Sequence, residues 1–166
     1  MKSSAGILKV VLSLLIAALA FGLGWRALNL LPVDYDEDDY TRAGQIYADG
    51  FRQGDWAIAT RENYREEHPP LAKLLYGVVF STLDPIPAIP ERPTSTPPND
   101  ILNRYYLTPG RISSTLLNTL QVLLLGLANP LAALLLSVST WQLKYTSQVM
   151  LEALPALTQR LSRWPT

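Results

Sequence analysis

The sequence predicts an all-α integral membrane protein with about three transmembrane helices and two amphipathic interfacial helices in a large extracytoplasmic loop. Two long runs without charge, 10–25 and 112–143, and helical periodicity in the segment between them carry this prediction. Hydrophobic residues make up 48% of the chain and charged residues only 17%, which is below the roughly 25% of charged residues typical of soluble domains. The composition therefore favours a membrane protein.

The first predicted element is a transmembrane helix within residues 1–31. Its uncharged run 10–25 gives about 24 Å of helix at roughly 1.5 Å per residue, and apolar residues beyond it extend this to the roughly 30 Å of a bilayer core. Lys2 and Lys9 flank its start, so the positive-inside tendency predicts a cytoplasmic N-terminus. A cleaved signal peptide is the alternative, because "ALA" at 18–20 resembles a cleavage site. The continuation of the apolar run favours a retained anchor.

Residues 32–109 form the predicted extracytoplasmic loop, with interfacial helices over about 38–51 and 69–83. Apolar residues of the first helix share one stripe at helical spacing: Tyr40, Ala43, Tyr47 and Phe51. Leucine and valine of the second helix follow the spacing i, i+3, i+4, i+7 and i+8: Leu71, Leu74, Leu75, Val78 and Val79. The second helix is too short to span a bilayer, which favours a position in the interface plane. The Pro-rich segment 84–100 is predicted to be an extended or mobile linker.

A transmembrane hairpin is predicted over 110–145. As one helix, the uncharged run 112–143 would be about 48 Å long, more than a bilayer needs. Pro130 disfavours helix at the residue before it, so we place a turn near 128–130. A single Pro-kinked helix in a soluble core is the alternative, which the length and the leucine-rich composition disfavour. Residues 146–166 are predicted to be an extracytoplasmic tail or the start of a further helix.

Charge and residue usage exclude several kinds of site. Thirteen of the 14 acidic residues but only seven of the 14 basic residues lie in 32–110, so the outer loop is acidic. The net charge of zero gives no basis for a nucleic-acid partner. The absence of cysteine excludes disulfides and zinc–sulfur sites, and the single histidine, His68, excludes a poly-histidine centre. The five carboxylates of 34–39 could take a divalent cation such as Mg²⁺ or Mn²⁺, but their spacing matches no calcium loop, and no metal site or cofactor is assigned.

Five sequence pieces occur in a characteristic order: "YDEDDYTRAGQIY" (35–47), "GDW" (54–56), "EHPPLAKLLYG" (67–77), "GRISSTLLNTLQVLLLG" (110–126) and "KYTSQVMLEAL" (144–154). This arrangement resembles the N-terminal part of GT-C-fold membrane glycosyltransferases, in particular the protein O-mannosyltransferase and lipid A aminoarabinose-transferase relatives. Such enzymes transfer a sugar from a polyprenyl-phosphate donor to a protein or lipid acceptor on the outer or luminal side. Full-length relatives continue with many further spans, whereas this chain has about three.

The resemblance implies roles for individual residues. The Asp–Glu pair of the first loop corresponds to Asp36 and Glu37, with Asp36 as general base, a role that contributes about 10²- to 10⁴-fold. Glu67 would orient the acceptor or share its proton. Four further residues would bind substrate: His68 and Lys73 near the phosphate, Arg111 on the lipid phosphate through its guanidinium fork, and Glu152 at the second acidic position of the family.

Each of these roles has a purely structural alternative. Asp34, Asp38 and Asp39 are expected to be solvated or to cap a helix, His68 equally suits a helix cap, and Arg111 equally suits an interfacial anchor. Two functions are therefore compatible with the sequence. The first is a multi-pass plasma-membrane glycosyltransferase acting on a polyprenyl-phosphate-linked sugar. The second is a non-catalytic scaffold that keeps the first half of the fold and binds other membrane subunits in the lipid bilayer.

Overall fold

A computed structural model of the protein describes residues 4–64, 70–88 and 104–150, and within them the chain forms seven helices and no strand. The helices are α1 (Ser4–Leu30), α2 (Glu37–Arg52), α3 (Ile58–Arg61), α4 (Pro70–Ser81), α5 (Arg104–Ala128), α6 (Pro130–Ser137) and α7 (Thr140–Thr146). These residues fall into two compact units. The apolar unit comprises the described residues of Met1–Leu31 and Ser114–Ser147, and the acidic unit those of Pro32–Ser113 together with 148–150.

Among the described residues, two helices are long and apolar enough to cross a membrane, namely α1 with 27 residues and α5 with 25. The third predicted span is not supported as a single helix. After Asn129 the chain forms α6, of eight residues, and α7, of seven, or about 12 Å and 10 Å at roughly 1.5 Å per residue. The break falls at Val138 and Ser139, where Ser139 adopts an extended backbone and its side chain accepts a hydrogen bond from the Gln142 N–H.

Close backbone approach shows how α1 and α5 pack within the apolar unit. A Cβ atom on Gly24 would lie 2.7 Å from Thr115 Cγ2, and one on Gly126 would lie 3.0 Å from Ser13 Cβ. Residue numbers rise along α1 while they fall along α5, so the two helices are antiparallel. Their seam continues to α6 through three fully buried side chains: Ala20, Val122 and Ala133.

The turn of the predicted hairpin lies where the sequence places it. α5 ends at Ala128 and α6 begins at Pro130, with Pro130 at a position where its missing N–H is harmless. Asn129 has an extended backbone, and its side chain accepts a hydrogen bond from the Ala132 N–H. This is the capping arrangement that satisfies a free donor at a helix start. α5 itself begins at Arg104, earlier than the predicted residue 110, and contains Pro109.

In the acidic unit, α2 and α4 pack face to face. A Cβ on Gly44 would lie 2.7 Å from the Phe80 ring, and one on Gly77 only 2.5 Å from Tyr47 Cβ. The predicted stripe of α2 supplies the buried face, including Tyr47. The leucine and valine stripe of α4 does not: its positions are exposed or half-buried, and α4 buries a different face, formed by Ala72, Lys73, Tyr76, Gly77 and Phe80.

Arg52 connects the ends of the two packed helices. Its Nη2 donates to the carbonyl oxygens of Phe80 and Leu83, the second at 2.9 Å, and to Tyr106 Oη at 3.2 Å. Its Nη1 forms an ion pair with Asp49 at 2.6 Å. Carbonyl groups in the last turn of a helix have no partner within the helix, so Arg52 provides donors at the end of α4.

Three further comparisons with the sequence prediction concern local structure. The helix α3 was not predicted, and the turn before it contains Gly54 at φ 77°, a conformation that glycine adopts readily. Residues 84–88 of the predicted linker are not helical, and the rest of the linker lies outside the described residues. Of the predicted tail, 146–150 is described: α7 ends at Thr146, and irregular backbone follows.

We expect Gly77→Ala to destabilise the protein by up to about 2 kcal/mol, because overpacking a tight contact costs about 1–3 kcal/mol and the gain in helix propensity offsets only about 1 kcal/mol of this. The matched control is Gly22→Ala in α1, where an added Cβ meets nothing within 4 Å. The measurement is equilibrium unfolding in detergent, followed by circular dichroism. Equal stability of the two variants would contradict the close packing of α2 on α4.

Candidate functional site

The carboxylate of Glu37, in the acidic unit, is fully buried. Oε1 accepts hydrogen bonds from Arg111 Nε at 2.9 Å and from the Val149 N–H at 2.7 Å. Oε2 accepts from Arg111 Nη2 at 2.6 Å and from the Asp34 N–H at 2.9 Å. Two parallel bonds from one guanidinium are the strongest form of such a pair. Four donors on two oxygens leave the carboxylate well satisfied in its ionised form.

Arg111 extends this network to the chain before α2. Its side chain is 6% exposed, and Nη2 also donates to the Pro32 carbonyl oxygen at 2.9 Å. Gln148 Nε2 donates to the same oxygen at 3.1 Å. The network therefore binds together the start of α2, the first half of α5 and the segment that contains Gln148 and Val149.

Asp36 lies next to this fixed pair and has the opposite environment. It is the N-cap residue of α2, and its side chain is exposed to solvent. The first turn of the helix that follows carries three more acids, Glu37, Asp38 and Asp39, where the positive end of the helix dipole favours anions. Because Glu37 is anchored, the backbone that carries the Asp36 carboxylate is held in place.

A second polar cluster contains Lys73. This lysine is fully buried, and its Nζ donates to Asn63 Oδ1 and to the Tyr64 carbonyl oxygen, both at 2.7 Å. Tyr64 Oη accepts from Arg42 Nη1 at 2.7 Å and donates to Asp39 Oδ1 at 3.3 Å. The Arg42 guanidinium also lies 5.5 Å from the centre of the Tyr64 ring, within cation–π range. The ammonium group thus holds the chain at residues 63 and 64 rather than facing solvent.

The structure brings some of the predicted site residues together. Glu37 and Arg111 are in direct contact, Asp36 is the N-cap residue directly before Glu37, and Lys73 belongs to the cluster around Tyr64. Three predicted site residues lie outside the described residues: Glu67, His68 and Glu152. Sequence reasoning missed Arg42, Asn63 and Tyr64, because single polar residues without a spacing pattern carry no signal before the fold is known.

Within the described ranges, no group of three or more His, Cys, Asp or Glu side chains is arranged to hold a metal ion. The carboxylates of 34–39 that could have taken Mg²⁺ or Mn²⁺ are divided by environment: Glu37 and Asp38 are buried, and Asp36 is exposed. Since Glu37 already accepts four hydrogen bonds, it is poorly suited to serve as a cation ligand.

Among the titrating groups of the acidic unit, a tyrosine and an aspartate near the end of α2 have shifted pKa values. Burial, and then the charge of Glu62, raise the pKa of Tyr47, whose Oη donates to the Glu62 carbonyl oxygen at 2.6 Å. The hydrogen bond from Arg61, together with its charge, lowers the pKa of the Asp55 carboxyl. The Tyr47 hydrogen bond and the Arg61–Asp55 contact both hold the segment after α2, and neither Tyr47 nor Asp55 is one of the predicted catalytic residues.

Comparison with known proteins gives no match: no protein family, curated protein or solved structure is similar to this chain. The resemblance to GT-C-fold glycosyltransferases therefore depends on the five sequence pieces alone.

We expect Glu37→Leu to destabilise the protein by about 3–5 kcal/mol, because it leaves the Arg111 guanidinium buried without its counter-charge. The double variant Glu37→Leu/Arg111→Met should lose less than the sum of the single losses, with a coupling of about 0.5–3 kcal/mol. Asp49→Asn breaks the more exposed pair with Arg52 and is the control, expected to cost about 1 kcal/mol or less. The measurement is a double-mutant cycle by equilibrium unfolding, and additive losses would contradict direct pairing.

Proposed function

We propose that this chain is a multi-pass membrane protein. The supporting observation is that the apolar unit exposes large apolar side chains and buries mostly small residues, the reverse of the distribution in a soluble protein. Many large apolar side chains of α1 are exposed: Ile7, Leu8, Val11, Leu14, Leu15 and Leu19 among them. The buried face of α1 consists mostly of small residues: Ser13, Ala17, Ala20 and Gly24, with Leu28. A soluble protein rarely exposes so large an apolar surface, whereas helices in lipid pack through small residues.

The divided segment α6–α7 fits this proposal as a third crossing. It begins directly after α5 ends, and the residue that follows α7, Ser147, returns to the level of Gly24: a Cβ on Gly24 would lie 3.6 Å from Ser147 Oγ. At the break, the N–H groups of Val138 and Ser139 donate to the carbonyl oxygens of Leu134 and Leu136 at 3.3 and 3.1 Å, and backbone groups at membrane depth require such partners. We further propose that the N-terminus is cytoplasmic, that the membrane is the plasma membrane, and that the acidic unit is extracytoplasmic.

The outward face of α4 supports a position of the acidic unit at the bilayer surface. Leu71 and Val78 are 56% and 48% exposed, respectively, although they belong to the apolar stripe of the helix. A short helix that packs on its own unit through one face and exposes leucine and valine on the other suits the membrane interface.

The chain has no cysteine, so single cysteines test this topology without background. In intact cells, a membrane-impermeant maleimide should label Ala57→Cys but not Ser4→Cys, and permeabilisation should expose Ser4→Cys. Leu15→Cys should stay unlabelled throughout, because the reactive thiolate requires water. Labelling of Leu15→Cys as fast as Ala57→Cys would contradict the membrane assignment. Labelling of Ser4→Cys in intact cells would show that the N-terminus is extracytoplasmic, the opposite of the proposed orientation.

We propose that the chain is a glycosyltransferase, or the N-terminal part of one, that uses a polyprenyl-phosphate-linked sugar. The observation that carries the proposal is the exposed Asp36 carboxylate held beside the buried Glu37–Arg111 pair. In the reaction, Asp36 accepts the proton of the acceptor hydroxyl while the oxygen of that hydroxyl bonds to the anomeric carbon of the sugar. The bond from that carbon to the phosphate oxygen breaks with inversion, and the polyprenyl phosphate leaves with the electron pair.

A specific observation favours the second candidate function, a non-catalytic scaffold for other membrane subunits. Arg111, which the resemblance assigns to the lipid phosphate, is buried and already bound by Glu37 and the Pro32 carbonyl. Lys73 is likewise buried and engaged. Phosphate binding by either residue requires rearrangement of these contacts, whereas a scaffold requires none.

The two functions differ in their response to Asp36→Asn. We expect it to lower transfer by about 10²- to 10⁴-fold, the usual contribution of a general base, with unchanged membrane insertion. Asp34→Asn, in the same run of acids, is the matched control and should retain transfer. The assay uses the full chain in native membranes with radiolabelled polyprenyl-phosphate-mannose or polyprenyl-phosphate-aminoarabinose. Unaltered transfer in Asp36→Asn would remove the base assignment. If co-purification with other membrane subunits is also unaltered in this variant, the result favours the scaffold.

A further inference from the structure

Three primary amides meet inside the apolar unit. Asn118 and Gln121 lie on one face of α5, and Gln142 lies in α7. Gln142 Nε2 donates to Asn118 Oδ1 at 2.9 Å and to Gln121 Oε1 at 3.1 Å. Asn118 and Gln121 are each only 1% exposed. This is an uncharged, strongly polar cluster in a unit whose outer surface is apolar.

The cluster contains more donors than its own members satisfy. Asn118 Nδ2 and Gln121 Nε2 are buried and have no hydrogen-bond partner among the described residues. The same holds for two hydroxyl groups near Gly24, Thr115 Oγ1 and Ser147 Oγ. A buried donor without an acceptor is costly, and nearly all such groups in native proteins find a partner in protein or ordered water.

The chemistry of these groups defines their ligand. Amide N–H groups only donate, so the ligand must offer an acceptor oxygen. The described part of the apolar unit contains no acidic residue, and its three cationic residues, Lys9, Arg26 and Lys144, are exposed or half-buried. A charged ligand would therefore lack a buried counter-charge, and burying an unpaired charge in an apolar environment has a large unfavourable free energy. Water accepts from the amides and also bonds to either hydroxyl, and it is the smallest ligand that does both.

The backbone supports the same conclusion. Gln142 lies in the first turn of α7, immediately after the break at Val138 and Ser139. The N–H groups of Val138, Ser139 and Gln142 already donate to groups of the protein, so the side-chain amides are the donors beside the break that still require an acceptor. We propose that Asn118, Gln121 and Gln142, together with Thr115 and Ser147, form a binding site for ordered water inside the apolar unit.

The proposed site has an extended shape. Thr115, Asn118 and Gln121 follow one another at intervals of three residues along α5, which covers about 9 Å at roughly 1.5 Å per residue. The polar seam thus runs along the interior of the unit, from the contact with Gly24 toward its middle. It gives the divided segment α6–α7 a hydrated contact with α5 and is independent of sugar transfer.

The test is solid-state NMR of the full chain in lipid bilayers, with ¹⁵N-labelled asparagine and glutamine side chains, measuring polarisation transfer from water protons. We expect transfer to Asn118 Nδ2 and Gln121 Nε2 within the mixing time that serves the exposed amide of Gln53. Asn118→Leu identifies the Asn118 signal by its loss, whereas the wild-type measurement needs no variant to fold.

Variants separate a shared water site from accidental hydration. Ser147→Ala and Gln121→Met each remove a partner and should lower water transfer at Asn118 at least twofold. Thr119→Val removes a hydroxyl that donates to the Thr115 carbonyl oxygen within α5 and should leave that transfer unchanged. Absence of water transfer to both buried amides in the wild type would overturn the proposal, as would transfer to them from lipid protons alone.

Discussion

The buried pair between Glu37 and Arg111 is the interaction on which the acidic unit depends. Removing two charges from water is unfavourable, and a buried pair is sustained only when its geometry is good and its remaining hydrogen-bonding groups are satisfied. Here the guanidinium fork and two backbone N–H groups supply all four donors to the carboxylate. Because those donors come from separate parts of the chain, the pair determines where α2 begins and how it meets α5.

The same pair gives two adjacent carboxylates different properties. Glu37 is enclosed and fully bonded, so it is suited to hold structure, while the neighbouring Asp36 faces solvent from a fixed position. Dividing roles between neighbouring acids by their environments is a general way to build acid–base chemistry. The arrangement serves an enzyme directly, and it serves a scaffold equally well as a rigid joint. The contacts of Arg111 distinguish the two, because a lipid phosphate would have to compete with Glu37 for the same donors.

The apolar unit follows the opposite rule of construction. Many of its large apolar side chains are exposed, and its interior holds mostly small residues and amides. Small residues allow α1 and α5 to approach closely at Gly24 and Gly126, so close van der Waals contact adds to the small apolar cluster of Ala20, Val122 and Ala133. The buried amides then require partners, and that requirement links the break between α6 and α7 to the polar face of α5. In this unit, the residues that pack the helices and the residues that form the polar cluster therefore lie in the same interface.

The sequence by itself determined the existence of α1, α2 and α4 and the position of the main turn. Uncharged length predicted α1, apolar periodicity predicted α2 and α4, and Pro130 located the turn, because each of these signals acts within a few residues of the backbone it controls. Only the tertiary structure decided which side chains meet: Glu37 with Arg111, Lys73 with Tyr64, and Gln142 with Asn118. It also decided that α4 buries its glycine and aromatic face rather than its leucine stripe, and that the third segment divides at Ser139. Most of these outcomes depend on contacts between separate elements, whose relative positions no local pattern encodes.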